Sequence, residues 1–166
     1  AGYKQAQKIW NAIIAEDEGL IKPVGLGCRD TLRIEMKYLL YGNDISSKIN
    51  PIEAGLGWIT KLVDREFIGS DFIRSINNNQ KMNLVCIEMI DKGIPRPGYE
   101  IAHNQTNIGR VTSGTFSPSI EKGIGLVYIL KEFSRPDTEL DVIIRNKNLK
   151  CKIVNPPFYK RGSLSA

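Results

Sequence analysis

The hydrophobic pattern of this chain changes its period once, near Asn79, and that change limits the possible folds more than any other feature. Ahead of the polar run Asn77-Asn78-Asn79-Gln80, apolar residues recur three and four positions apart; after it they alternate, or fall in short runs between Gly, Pro and Asn. The first spacing lines one face of a helix, the second one face of a strand. A chain of 166 residues that reads helical and then β is of class α+β, and its length admits one domain or two small ones. The expected division is residues 1–79 and residues 80–166.

In the first part, Ala6, Ile9, Trp10, Ile13 and Ile14 stand at helical spacing, with Gly19 beyond them as a stop. Such an amphipathic helix needs a partner for its apolar face, and no strand or cap precedes it. A start directly on a helix is what a cut inside a domain leaves. Gly25 and Gly27 break the chain before a second expected helix, Arg29 to Leu40, with the stripe Leu32, Met36, Leu39 and Leu40; Tyr41-Gly42-Asn43-Asp44 ends it. WITKLV, Trp58 to Val63, reads as a short strand, and Phe67 to Ile76 as a further short helix. Trp10 and Trp58 are expected in the core. In the second part six short strands are expected: Met82 to Ile90, Tyr99 to Ala102, Ile108 to Thr112, Ile124 to Ile129, Leu140 to Ile144 and Lys150 to Val154. Their number and turn chemistry predict a small antiparallel barrel or jelly roll.

Composition argues against several classes of function. No apolar run approaches the roughly 20 residues that cross a bilayer as a helix, and AGYKQAQKIW lacks the regions of a secretory signal. Cys28, Cys86 and Cys151 are far apart and form no CxxC pair, which argues against a disulfide framework or a zinc site. No metal is expected, and a reducing compartment is the simplest reading. His103, the only histidine, sits in the turn-like HNQTN, so neither a Cys/His pair nor a Ser/His/Asp triad has an obvious base. The net charge of +5 and pI near 9.1 admit a polyanionic partner, yet the cations are scattered and the strands lack clustered aromatics for base stacking. Gly25 and Gly27 form no GxGxxG and Thr112 to Ser119 no GxxxxGK, so neither nucleotide motif is met.

Chemistry concentrates in Gly25 to Glu35, GLGCRDTLRIE, which sets Arg29, Asp30, Arg33 and Glu35 between clusters of glycine and leucine. A carboxylate held on a helix at the floor of an apolar slot accepts two hydrogen bonds side by side from a ligand that presents paired donors. Glu35 fits that role; it also fits an ion pair with a neighbouring arginine on the helix, worth about 0.5 kcal/mol. Asp30 fits either a helix cap or a pair with Arg33.

The company of this segment is specific: PIEAGLGW from Pro51, GYEI from Gly98, TSGTFSPSI from Thr112, GIGLVYI from Gly123 and PPFY from Pro156. In this order and spacing the segments resemble the carboxy-terminal part of the T-protein of the glycine cleavage system, a family of tetrahydrofolate-dependent aminomethyltransferases, over nearly the whole chain. The resemblance implies that residues 1–79 are the end of an α/β folate-binding domain and residues 80–166 a carboxy-terminal, jelly-roll-like β-barrel. It implies that Glu35, the glutamate of the RDxLRxE segment, binds the pterin, with Arg29, Asp30 and Arg33 holding it in place. The family's arginine near the folate tail falls on Asp64 without a gap and on Arg65 with a one-residue shift. Tyr159 is implied to stack on the p-aminobenzoyl ring and Arg161, beside Lys160, to meet the glutamate tail.

The implied reaction transfers a methylene group from the aminomethyl-lipoyl arm of H-protein to tetrahydrofolate, releasing ammonia. Tetrahydrofolate is then substrate and lipoylated H-protein partner, with no part for nucleic acid or membrane, in bacterial cytoplasm or a mitochondrial matrix. The family's aspartate that activates the folate lies in its amino-terminal half, and no Asp here matches it. No catalytic residue is therefore expected in this chain, which is expected to be inactive alone. Two alternatives stand beside this one: the folate domain of a sarcosine or dimethylglycine dehydrogenase-like protein, and a non-catalytic β-barrel binding module, with RNA as one candidate ligand.

Overall fold

A computed structural model describes residues 2–16, 19–63, 65–76 and 79–161; Asp64 and the linker residues Asn77 and Asn78 lie outside them. Among the described residues, four helices lie ahead of the linker, α1 (Tyr3–Ala15), α2 (Leu26–Glu35), α3 (Gly57–Thr60) and α4 (Ser70–Ile76). After it come six strands, β1 (Met82–Met89), β2 (Glu100–His103), β3 (Thr106–Ser117), β4 (Lys122–Leu130), β5 (Glu139–Ile144) and β6 (Lys147–Val154). The strands close into an antiparallel barrel in the order β1-β4-β3-β2-β5-β6, with β6 returning to pair with β1. Each of the six strands expected after the linker is present, and β3 is the most extended beyond its alternating stretch, running on to Ser117.

Two hairpins explain how so few residues close the barrel. Asn104 and Gln105 join β2 to β3 with φ of 50° and 66°, and Arg145 and Asn146 join β5 to β6 with φ of 49° and 62°. Two successive residues in the left-handed region make the turn whose twist matches that of the flanking strands. His103, expected in a loop, ends β2 instead, its ring centroid 4.8 Å from that of Phe133.

Inside the barrel, Ile87, Ile101, Val111, Ile129 and Val142 belong to one buried cluster, each such side chain contributing about 1.5–3 kcal/mol of burial. A second cluster lies on the outside: Leu84, Cys86, Ile124, Leu126 and Tyr128 of β1 and β4 are covered by Ile34 from α2 and Phe158 from the tail. Strand β4 is thus buried on both faces, which is why GIGLVYIL reads as a continuous apolar run. Across β3 and β4 runs the loop carrying Gly93 and the buried Pro95. A Cβ on Gly114 would lie 2.3 Å from the Pro95 carbonyl oxygen, and one on Gly123 2.2 Å from that of Gly93, so only glycine admits the loop there.

Three further expectations fail. WITKLV is not a strand: Gly57–Thr60 is one helical turn, closed by Thr60 Oγ1 donating to the Leu56 carbonyl at 2.8 Å and ended by Lys61 at φ 34°. So short an alternation suits either structure, and no described strand lies beside it to supply a ladder. Trp58 and Trp10 are outside the core, at 78% and 55% exposure, and no residue of α1 is buried. Helix α2 stops at Glu35, short of Leu40. Lys37, at φ 57°, takes the left-handed position, with Lys37 N–H donating to Ile34 O at 2.9 Å and Tyr38 N–H to Arg33 O at 2.7 Å. This pair of bonds is the Schellman stop, usually marked by glycine.

Candidate functional site

Helix α2 lays its last turn across the barrel wall, burying the consecutive residues Arg33, Ile34 and Glu35. Ile34 enters the outer apolar cluster, and the residues on either side carry charge. Glu35 is 3% exposed. Ser117 Oγ donates to its Oε1 and Ser119 Oγ to its Oε2, the latter at 3.1 Å. Its backbone carbonyl accepts from the amides of Phe158 at 2.9 Å and Tyr159 at 3.2 Å. The described ion pairs of the α2 arginines do not include Glu35, so the helix-surface pair is not the arrangement found.

Glu35 is among the residues lining an open cavity of about 800 Å³. Leu32, Met36, Leu39 and Leu40, the apolar stripe of the expected helix, line this cavity, together with Arg29, Ser119 and Tyr159. An apolar-lined hollow with a few fixed polar groups is the usual form of a small-molecule site. Arg29 is exposed on its wall. Lys160 and Arg161 are exposed beside an adjoining cavity of about 500 Å³ that shares Ser119 and Tyr159 with the first. Arg65 is exposed and is not among the residues lining the cavity; its carbonyl accepts from Arg74 Nη2 at 2.5 Å. Asp64 lies outside the described residues.

Behind the carboxylate is a polar network that ties α2 to the barrel. Arg33 donates from Nε to Asp30 Oδ1 at 2.8 Å, from Nη1 to Asp44 Oδ2 at 2.5 Å and from Nη2 to Ser113 Oγ at 2.8 Å. Asp30 therefore pairs with Arg33, and the N-cap is Gly25, without a side-chain cap bond. Asp44 is fully buried and also accepts from Leu40 N–H at 3.0 Å and Thr112 Oγ1 at 2.6 Å. Tyr128 Oη donates to the Asp44 carbonyl at 2.9 Å; burial, with Asp44 and Glu53 nearby, pushes its phenol well above the ordinary range, so it stays a donor. A register shift between Val111 and Ser113 leaves Thr112 without a cross-strand partner. That bulge lets adjacent residues of β3 both reach the Arg33–Asp44 pair.

Five residues of this arrangement are absent from the sequence-derived site: Asp44, Thr112, Ser113, Ser117 and Ser119. The available signal was the density of hydroxyls in TSGTFSPSI within a strand of an apolar barrel, because a buried hydroxyl requires a partner. Among the described residues no cluster of His, Cys, Asp and Glu could hold a metal ion, and no helix is long and apolar enough to cross a membrane.

The fold defines the class, an α+β chain built on a closed six-stranded antiparallel barrel. Residues 83–160 match the glycine cleavage T-protein C-terminal barrel domain, and residues 2–64 match the GCVT N-terminal domain. The aminomethyltransferase of Porphyromonas gingivalis is 52% identical over 163 residues, covering 93% of this chain and 44% of that protein. That of Bacteroides thetaiotaomicron is 49% identical over 159 residues, covering 93% and 44%. The crystal structure of glycine cleavage system aminomethyltransferase T from Bartonella henselae superposes with a TM-score of 0.83 at 26% identity, covering 90% of this chain and 44% of that one. The chain belongs to the glycine cleavage T-protein family and spans somewhat under half the length of these relatives.

Proposed function

We propose that this chain forms the pterin-holding wall of the tetrahydrofolate site of an aminomethyltransferase acting in glycine cleavage. The observation that carries the reading is Glu35: a buried carboxylate, fixed by two hydroxyls, at an apolar-lined cavity with Tyr159 on its wall. A carboxylate has about four acceptor sites; two hydroxyls leave room for the paired donors of a pterin edge. Tyr159 offers a face for the p-aminobenzoyl ring, while Lys160 and Arg161 offer cations for the glutamate tail. Arg33 and Asp30 hold the helix that carries Glu35, and Arg29 contributes to the wall. Arg65 is kept as a contact for a glutamyl carboxylate reaching beyond the cavity, through its planar fork.

In this reading the whole protein takes the methylene group from the aminomethyl-lipoyl arm of H-protein, gives it to tetrahydrofolate and releases ammonia. The activating aspartate belongs to the family's amino-terminal half, and no residue here is assigned a catalytic part. Residues 1–79 are the end of the folate-binding domain and residues 80–166 the barrel domain; cytoplasm or mitochondrial matrix would be the setting. An RNA-binding barrel has less support, since the exposed large apolar residues of the described barrel are Ile90 and Phe116, a poor stacking platform.

The test is a tetrahydrofolate titration of the full-length protein that carries this chain. Glu35→Ala is expected to weaken binding by about 1.5–3 kcal/mol, the range for a hydrogen bond to a charged group. Unchanged affinity removes Glu35 from the site. The 166-residue chain mixed with loaded H-protein and tetrahydrofolate is expected to show no methylene transfer, and turnover would overturn the division of labour.

A further inference from the structure

Glu35 departs from local electrostatic logic. It is the last residue of α2, at the negative end of the helix dipole, where a carboxylate is disfavoured. It is also buried, while the arginines of its own helix are engaged elsewhere or exposed: Arg33 pairs with Asp30 and Asp44, and Arg29 lies on the cavity wall. A buried anion in that place requires donors to stand in for water. Both come from one short stretch more than eighty residues away: Ser117, the fully buried last residue of β3, holds Oε1, and Ser119 holds Oε2. The tail amides of Phe158 and Tyr159 meanwhile hold the Glu35 carbonyl. The barrel module thus fixes both the backbone and the side chain of this one residue. With one donor on each oxygen, rotation of the carboxylate about its last bond breaks a hydrogen bond.

Resting on the folate reading of the cavity, we infer that Ser117 and Ser119 are positioning residues for the pterin. They set the plane of the Glu35 carboxylate so that its two remaining acceptor sites meet both donors of the pterin edge at once. Recognition of the pterin then depends on preorganisation of the carboxylate as well as on its charge.

The experiment is calorimetric titration of tetrahydrofolate, under reducing conditions, into the full-length protein carrying this chain, with thermal melting of every variant alongside. Ser119 is exposed, so Ser119→Ala folds with an unchanged melting temperature and provides the clean variant. Its affinity is expected to fall about tenfold, and Ser119→Thr, which keeps the hydroxyl, to recover it to within about threefold. In a Glu35→Gln background, where the paired acceptor is already lost, the same Ser119→Ala change is expected to cost less than about twofold. Ser117→Ala follows the same pattern with a larger loss. No loss in Ser119→Ala, or an equal loss in both backgrounds, overturns the positioning role and leaves the folate reading intact. Glu35→Gln binding as tightly as the native protein, or no binding by the native protein, overturns the folate reading and this inference together.

Discussion

Asp44 holds the most demanding position of any residue outside the cavity. It has no exposure, and its carboxylate is filled by the Arg33 guanidinium, the Leu40 amide and the Thr112 hydroxyl. A buried ion pair is no large source of stability as a pair, but removing one member strands the other charge in a low-dielectric interior. Asp44→Ala is therefore expected to destabilise the chain by about 3–5 kcal/mol in urea unfolding. Asp30→Ala removes the other, half-exposed carboxylate partner of Arg33 and is expected to cost under about 1 kcal/mol. Equal effects from the two changes would show that the Asp44 network does not seat α2. Asp44 was legible in the sequence only as turn chemistry, since nothing local distinguishes a turn aspartate that caps a loop from one that anchors a helix to a sheet.

Among the elements, β3 and β4 bear the closest constraints, because α2 lies over part of their outer surface and the Gly93–Pro95 loop over another part. Gly123→Ala drives a methyl to 2.2 Å from the Gly93 carbonyl oxygen and 2.8 Å from Met89. Since the first neighbour is backbone, the element itself must shift, at an expected cost of about 1–3 kcal/mol. Gly27→Ala provides the contrast: a Cβ there meets nothing within 4 Å, and alanine in α2 is expected to be neutral or stabilising by up to about 1 kcal/mol. Urea midpoints of the two variants measure both, and a neutral Gly123→Ala would refute the close approach. The strand positions were legible from alternation and turn residues. The end of α2 was not, because a lysine occupies the position that glycine usually marks.

Across the whole molecule, stability is concentrated in the barrel. Among the described residues, the exposed large apolar side chains other than Ile90 and Phe116 belong to residues 2–76, and of the helices described it is α2 that contributes to a buried apolar cluster. The barrel in turn carries a built-in alkaline limit. Burial pushes the thiols of Cys86 and Cys151 up to about 12, and the Asp141 carboxylate, 2.9 Å from Lys150 Nζ, raises Lys150 above its ordinary value. With folded values raised, the native state keeps protons that the unfolded chain releases. This stability is fully present below the unfolded thiol range, near pH 8.5, and is lost as pH rises toward 12. Each thiol contributes a slope approaching about −1.4 kcal/mol per pH unit in that window. Urea unfolding between pH 8 and 10.5 is expected to show a falling midpoint, flattened by Cys86→Ala; a flat native profile would count against it. At neutral pH, a thiol reagent is expected to label the exposed Cys28 alone until the chain is unfolded.

What the sequence by itself determined is periodic or contiguous: the change from helix to strand near Asn79, the six strands of the barrel, and the acidic end of GLGCRDTLRIE. Each is a local pattern, because helical and strand faces repeat along the chain at intervals shorter than an element. Only the tertiary structure decided what surrounds Glu35. Ser117 and Ser119 are 82 and 84 positions away, Thr112 is 68 from Asp44, and Ser113 is 80 from Arg33. Barrel closure and one bulge in β3 bring these pairs together. Hydrogen bonds across such separations leave no period in the sequence; they exist because buried polar groups must find partners wherever the fold has placed them.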